Sequence, residues 1–524
     1  MSKIKPTVFY IIFFLFCLAF SSTAVGYDYD LWARLIAGMS VVQSGMVLKH
    51  DFLSYTPTHT WFDHEWGSGV IFYLTQHLFS SAGILILQAF LVFSIFFVIT
   101  KIIDLRGVKT TSAYNFLFYF FSFHAMRVTF NEPVRCQMFS FLFFTIFLYI
   151  LELSRKNGNK NIDKLLFLLP FLMILWNNIH GGCVSGIGLI AIYAFGEFLN
   201  KAPFKKYILI LIPTVLVLII NPWGISYISF LINAATMSRP YIMEWWGLFS
   251  NYYLLQFIQF KLFAFFMILT ELIIVIKSFS LKKFDKTKFL LLVGTLFLAI
   301  QHVKMVPFFA ITSTCFIYDD FYTLFNGNVL KIKQFLRIPP NFFQEKFVLK
   351  KEIAVYAVFI IFIVTNLNAK SFEPIIKNDR YPRREIEFIR INNIKGRLFT
   401  AFGIGSFASY KLYPNNLIFM DGRYEEVYYD YMLPIQKEFY FAKEPSKTVL
   451  IQKFPPDVMI IENSYPIYKV LKKDKNWKLV FEGITSGVFV KAKTVKKTYK
   501  QPSKDIQYYK RTLFDTNISF KKSS

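Results

Sequence analysis

The sequence predicts an α-helical polytopic membrane protein of about eleven spans with a small extracytoplasmic α/β domain at its carboxyl end. Three observations carry this. Of the 524 residues, 55% are hydrophobic and 64 are Phe, more apolar surface than one soluble core buries. The apolar residues gather in runs of membrane length, or slightly less, between short polar loops. From Asn368 onward the composition becomes that of an ordinary soluble domain. The net charge of +26 does not point to nucleic acid, because Lys and Arg are spread over short loops instead of forming one solvated face.

The first apolar run, Thr7 to Val25, follows Lys3 and Lys5. It is also short enough, and Ser21 to Gly26 rich enough in small residues, to fit a cleaved signal peptide. Either way, Gly26 emerges outside. The stretch Gly26 to Gly69 then carries Asp28, Asp30, Asp51, Asp63, His64 and Glu65 with Trp32, Trp61 and Trp66. A carboxylate within a bilayer costs roughly 2.5 to 3.5 kcal/mol on insertion scales. This stretch therefore lies in water or at the interface, as the floor of an outward-facing site.

Further apolar runs cover Ile84 to Ile103, Ala113 to Ala125, Met138 to Leu153, Leu165 to Ile179, Val184 to Leu199, Tyr207 to Ile220, Leu262 to Ile276, Phe289 to Ile300, Val306 to Ile317 and Ile353 to Thr365. Loop charge gives an independent test of topology. DLRGVK from Asp104, SRKNGNKNIDK from Ser154, NKAPFKK from Asn200, KSFSLKKFDKTK from Lys277 and the stretch from Lys331 to Lys351 are rich in Lys and Arg, hence cytoplasmic. The alternate loops are poor in both. They read FNEPVRCQ, WNNIHGG, NPWG, SRPYIMEWW and QHVKMVP. All the Trp residues fall on this side, so sugar stacking competes with an interfacial aromatic belt as their explanation.

In the soluble part, short strands are expected at Leu398 to Ala401, Leu417 to Met420, Val458 to Ile461, Lys478 to Phe481 and Gly487 to Val490. Helices are expected at Ser406 to Leu412 and Ile467 to Lys472. The domains are then 1–367 for the membrane part, including loop 26–69, 368–490 for the α/β part, and 491–524 for a basic, loose tail. Asp421 and Arg423 fit a strand-end turn closed by an ion pair. Cys17, Cys136, Cys183 and Cys315 lie in or beside apolar runs, with no metal-binding or disulfide spacing.

Several outer-side residues have the chemistry of a group-transfer site. Transfer from a lipid phosphate needs a base for the acceptor, cations for the departing phosphate and a dry pocket. Asp30 is the first choice for base, with Asp28 second; the pair can equally cap the following helix or share a divalent cation, so a metal cofactor stays open. Asp51 is a second acid or a turn former. His64 and Glu65 can hydrogen-bond a sugar or cap a helix. Arg135, Arg239, His302 and Lys304 are the cations available to a phosphate, and Glu244 is a further polar candidate. His180, between an amide pair and two glycines, marks a helix end open to a ligand or simply capped.

The series DLWARLIAG, GMVLKHDFLSYT, HEW, EPVRCQMFSF, LWNNIHGG, NPWG, EWW, HVKMVPFFA and FMDGRYEEVY resembles a group of bacterial polytopic membrane proteins related to GT-C-type glycosyltransferases. It spans about Asp28 to Tyr429. The resemblance implies a GT-C-like fold, a long first outer loop with an essential acid and a polyprenyl-phosphate-linked sugar donor. Asp30 matches the acid of the group's D-x-W pattern and Asp51 its later D-x-x-S. Ala33 stands where a second Trp is common, and EPVRCQ replaces the usual Arg-Pro-Gln. The expected activity is transfer of a lipid-linked sugar to an extracytoplasmic glycan, lipid or protein at the cell membrane. A ligase or polymerase of lipid-linked oligosaccharides and a non-catalytic carrier are the alternatives. No Gly-rich phosphate loop supports use of a nucleotide sugar.

Overall fold

The computed structural model describes residues 6–22, 27–107, 122–123, 125–126, 134–157, 160–280, 284–317, 345–368, 381–503 and 514–520. The chain divides into two compact units. One comprises Met1–Ala24 and Leu85–Glu373, the other Val25–Ile84 and Pro374–Ser524.

The first unit is helical. Helices Pro6–Ser21, Gln137–Asn157, Leu168–Ile179, Val184–Leu199, Lys205–Leu216, Ile258–Ser280, Lys286–Gln301 and Glu345–Asn368 occupy predicted apolar runs. Ala113 to Ala125 falls largely outside the described residues. Among the described residues, four helices have the length and composition to cross a membrane: Trp66–Leu105, Gln137–Lys156, Asn161–Ile179 and Gly181–Leu199. Pro6–Ser21, Val303–Ile317 and Ile353–Leu367 are apolar but shorter. The helix Trp66–Leu105 breaks at Ser80, whose φ of 53° and ψ of −150° fit no helix. An additional helix, Ser226–Thr236, lies inside what reads as an outer loop.

Aromatic edges hold these helices together. Phe13 meets Phe96 at 5.5 Å, Phe16 meets Phe359 at 5.3 Å and Phe147 meets Trp176 at 5.2 Å, each edge to face. Polar contacts join the loops in two sets that follow their charge. Arg155 bonds Glu197 at 2.8 Å and Asp285 at 2.6 Å, gathering three of the basic loops. Arg106, from a fourth, lies 3.5 Å from Glu152. The sparsely charged loops meet one another through Arg135, Glu244 and Lys304. Arg135 precedes and Arg155 closes one helix of about 20 residues, which places the two sets roughly 30 Å apart.

The second unit carries a five-stranded sheet of order β2-β1-β3-β5-β4. The strands are β1 Gly396–Phe399, β2 Asn416–Ile418, β3 Val458–Glu462, β4 Trp477–Glu482 and β5 Ser486–Lys491. Each coincides with a predicted strand to within two residues. β1 runs parallel to β2 and β3, with Leu398 beside Ile418 and Val458; β5 returns antiparallel to β3. The central β3 is apolar and buried along Val458 to Ile461, as a strand covered on both faces must be.

Loop 26–69, which the sequence groups with the spans, is folded into this unit. Ile418 donates to the Leu53 carbonyl at 2.8 Å and accepts from the Tyr55 amide at 3.0 Å, so the loop pairs with the open edge of β2. The helix Leu31–Ser44 buries Trp32 against Phe407, Tyr410 and Phe514, at 4.9, 5.3 and 5.5 Å. Trp32, Trp61 and Trp477 are therefore core residues. Sugar stacking does not explain their placement.

The described parts of the tail, 491–503 and 514–520, make contacts with the sheet unit; the rest of it lies outside the described residues. Asn392 accepts from the Lys500 amide and donates to its carbonyl, Phe514 lies on Tyr27 and Trp32, and Ile518 is buried. Widely spaced apolar anchors do this in a segment whose average composition is basic and polar.

Candidate functional site

Two closed ion clusters organise the second unit. In one, Arg34 projects from the helix Leu31–Ser44 onto Asp63, onto Glu65 at 3.2 Å and onto Glu426 at 2.8 Å. Trp61 Nε1 also donates to Glu426, at 2.8 Å, and His64 lies 3.4 Å from it. Three carboxyls surround one guanidinium. Burial pushes Glu426 up to about 7; Arg34 and His64 pull it down, while Asp63 and Glu65 add to the rise. Burial likewise raises Asp63. His64 and Glu65 are thus parts of the network that clamps the loop to the sheet domain.

In the other, Arg423 is completely buried between Asp421 at 2.9 Å and Asp51 at 2.7 Å, with Trp61 beneath its guanidinium at 4.6 Å. The expected turn and ion pair of Asp421 and Arg423 are both present. Asp51 also accepts from the Leu53 and Ser54 amides, both at 3.1 Å. Burial alone would raise its pKa, yet Arg423 and these donors hold it below the usual carboxylate value. A carboxylate held this way is a weak proton acceptor. These amide contacts match the turn former that the sequence offered beside a second acid.

Asp28 and Asp30 stand before the helix Leu31–Ser44. Asp28 Oδ1 accepts from the Asp30 amide at 2.8 Å, closing an Asx turn. Asp30 occupies the N-cap position, but its side chain makes no cap hydrogen bond. Its Oδ1 lies against Gly422, where a Cβ would come within 2.0 Å of that oxygen and force the carboxylate to move.

The first unit gathers the other candidates. Arg135 Nη1 bonds Glu244 at 2.8 Å and Lys304 Nζ bonds it at 3.2 Å. Lys304 and Arg239 lie over the Trp245 ring at 4.6 and 4.3 Å. The His302 ring meets Trp245 at 5.2 Å, and its Nδ1 donates to the Trp245 carbonyl at 2.6 Å. Since a carbonyl only accepts, Nδ1 carries a proton. Burial alone would raise Glu244, but Arg135 and Lys304 bring it down to about 2. Two cations thus share the Glu244 carboxylate, and a third, Arg239, lies on the neighbouring Trp245 ring.

This cluster is open where the others are closed. The side chains of Arg135, Glu244 and Lys304 keep 26, 26 and 21% of their exposure. The backbone aims Arg135 under strain, because Val134 holds a φ of +48°, unfavourable for a β-branched residue by about 1–3 kcal/mol. Reading the sequence missed Trp245 as the platform for two cations. The EWW run contains the signal, but spacing does not say which Trp the cations reach.

His180 follows the helix Leu168–Ile179. Its Nδ1 accepts from the Gly182 amide at 2.9 Å and lies 2.7 Å from Ser140 Oγ, which accepts from Trp176 Nε1 at 2.7 Å. Nδ1 is therefore the unprotonated nitrogen and Nε2 carries the proton. His180 caps the turn GGC that follows it, the capping role the sequence left open.

No protein-family description and no curated protein sequence matches this chain. Solved structures do. The archaeal oligosaccharyltransferase AglB from Archaeoglobus fulgidus, in complex with an inhibitory peptide and a dolichol-phosphate, is similar with a TM-score of 0.59 at 10% identity, over 87% of this chain and 69% of that one. The same oligosaccharyltransferase tethered to an acceptor peptide gives 0.56 at 11% identity, over 88 and 69%. The mycobacterial arabinofuranosyltransferase AftD gives 0.46 at 10% identity, over 93 and 40%. These neighbours are GT-C-type glycosyltransferases of lipid-linked sugars. The likeness to AglB shows a shared fold.

Proposed function

We propose that the chain is a membrane glycosyltransferase that moves a sugar from a polyprenyl-phosphate-linked donor to an extracytoplasmic acceptor. The observation that carries this reading is the open cation cluster. Arg135, Arg239 and Lys304 come from three loops and gather at Glu244 and Trp245. Cations brought together beside apolar helices, with Arg135 and Lys304 partly exposed, suit the phosphate of an amphiphilic donor.

In the transfer, an acceptor hydroxyl attacks the anomeric carbon. The bond from that carbon to the phosphate oxygen breaks with its electron pair remaining on the phosphate, and the acceptor proton goes to a base. Arg135 and Lys304 are assigned to the departing phosphate and Asp30 to the proton, with Asp28 orienting the Asp30 backbone. A divalent cation at Asp28 and Asp30 remains part of the proposal, tested by the response of transfer to chelation. The topology, with the cation cluster and the sheet unit outside the cytoplasm, is proposed from loop charge.

The test is transfer from lipid-linked donors by the purified chain in lipid. Asp30→Asn is expected to abolish transfer with unchanged melting and unchanged donor binding. A fully active Asp30→Asn with inactive Lys304→Ala and Arg135→Ala would instead favour a ligase or polymerase of lipid-linked oligosaccharides. The cluster itself motivates that second reading, since it brings Arg135, Lys304 and His302 together.

A further inference from the structure

The sheet unit has a cavity that neither the ion clusters nor the transfer reading accounts for. The chain leaves β1 through the helix Phe402–Leu412 to reach β2 on one side, then crosses to β3 on the other. β1 is parallel to both. The crevice beyond the carboxyl ends of β1 and β3 is thus the point where strand order reverses, the place where open α/β sheets bind ligands. A cavity of about 380 Å³ opens there, between Thr400 and Ala401 after β1 and Glu462 and Asn463 at the end of β3. Its size is at the low end of small-molecule sites.

The walls are built for a ligand. Thr400 is 1% exposed, lines the cavity, and its hydroxyl has no hydrogen-bond partner among the described residues. A buried hydroxyl left so is unfavourable unless something else meets it. The helix Phe402–Leu412 begins at the same wall, and its N-cap Ala401 supplies no side-chain oxygen to the first-turn amides. Tyr29 forms another wall. Its ring lies so close to Gly403 that a Cβ there would sit 3.4 Å from Cδ2.

The lining is poorly suited to an anion. Among the described residues it contains no Lys, Arg or His but does contain Glu462, and Ser486 donates to Glu385 Oε1 at 2.8 Å. Burial pushes both carboxyls upward, toward the acid form that can donate as well as accept. Hydroxyls, an amide, a carboxyl and an aromatic wall, with no cation, match a neutral polyol.

We infer that this crevice binds a neutral sugar unit of the acceptor, one or two residues long, through Thr400, Glu462 and Asn463 against Tyr29. The inference deepens the transferase reading and rests on it for the word acceptor, but the binding itself does not require transfer.

The experiment uses the full chain in lipid nanodiscs. Hydrogen exchange of residues 400–404 and 460–464 is followed with maltose, cellobiose, N,N′-diacetylchitobiose and inorganic phosphate as separate probes. Protection by at least one saccharide and none by phosphate is expected, with Thr400→Val and Asn463→Ala each weakening the apparent affinity about tenfold. Thr400→Val is also expected to keep or raise the melting temperature, which separates a lost contact from a lost fold. Protection by phosphate alone, by no probe, or undiminished in both variants overturns the site. Saccharide protection in a chain without transfer activity would keep the site and overturn the transferase reading. Transfer without saccharide protection would do the reverse.

Discussion

The clusters around Arg34 and Glu244 use the same residue types to opposite ends. In the sheet unit one arginine, 2% exposed, meets three carboxyls. In the helical unit two cations meet one carboxylate that keeps about a quarter of its exposure, and a third lies on the adjacent Trp245. The first sets three carboxyls on one arginine with little access, and it holds chain segments together. The second sets two cations on one partly exposed carboxylate, an arrangement open to an anion. Charge type alone would not separate them; the ratio of signs and the access do.

The largest effect should come from Arg34→Ala. It leaves Asp63, Glu65 and Glu426 buried without their cation and is expected to destabilise the sheet unit by about 3–5 kcal/mol, measured by thermal unfolding of the purified chain. Stability close to that of the unaltered chain would show that the cluster does not clamp the loop.

Lys304→Ala should act on chemistry instead of folding. Transfer is expected to fall about 10²–10³-fold, as when one preorganised group for transition-state charge is removed. The melting temperature should barely move, because a partly exposed pair contributes about 0–1 kcal/mol. A large drop in melting temperature with normal transfer would erase the contrast between the clusters.

Asp51→Asn sharpens the comparison within the sheet unit. It leaves Arg423 with Asp421 alone and is expected to lower stability by about 1–3 kcal/mol, while the remaining folded protein transfers normally. Inactive but fully stable Asp51→Asn would return Asp51 to the mechanism.

The smallest effect is in pH, where the two clusters have opposite signs. Glu426 has a folded pKa raised to about 7, above its ordinary 4.5. The stability linked to its acid form is complete below 4.5 and is lost as pH rises through 7. Glu244 is lowered to about 2, so its contribution is complete above 4.5 and is lost as pH falls toward 2. Glu426→Gln is expected to flatten the alkaline side of the unfolding profile, and Glu244→Gln the acidic side. The same slope in all three proteins would rule out these assignments.

Much of the fold was legible because its signals are local. The five strands, the helix before β2 and the helix after β3 announce themselves by alternation and by turn residues within ten positions, whereas the helices between β2 and β3 do not. The apolar runs do so by length, and loop charge sorted the loops into the two sets that meet in the structure. The cation candidates were legible too, as Arg135, Arg239, His302 and Lys304 interrupt sparsely charged loops. The acids were not. Asp51, His64 and Glu65 carry the same residue types as a site, and their partners Arg423 and Glu426 lie hundreds of positions away, 372 residues from Asp51 to Arg423 and 392 from Arg34 to Glu426.

The sequence by itself determined that this is a membrane protein with an α/β end, since hydropathy and periodicity depend only on neighbours along the chain. Tertiary structure alone decided that the first loop folds with that end, that Asp51 closes an ion pair while Asp30 does not cap its helix, and that Thr400 faces a cavity without a partner. Burial and pairing are set by what the folded chain brings within a few ångströms, and at such separations no local pattern encodes it.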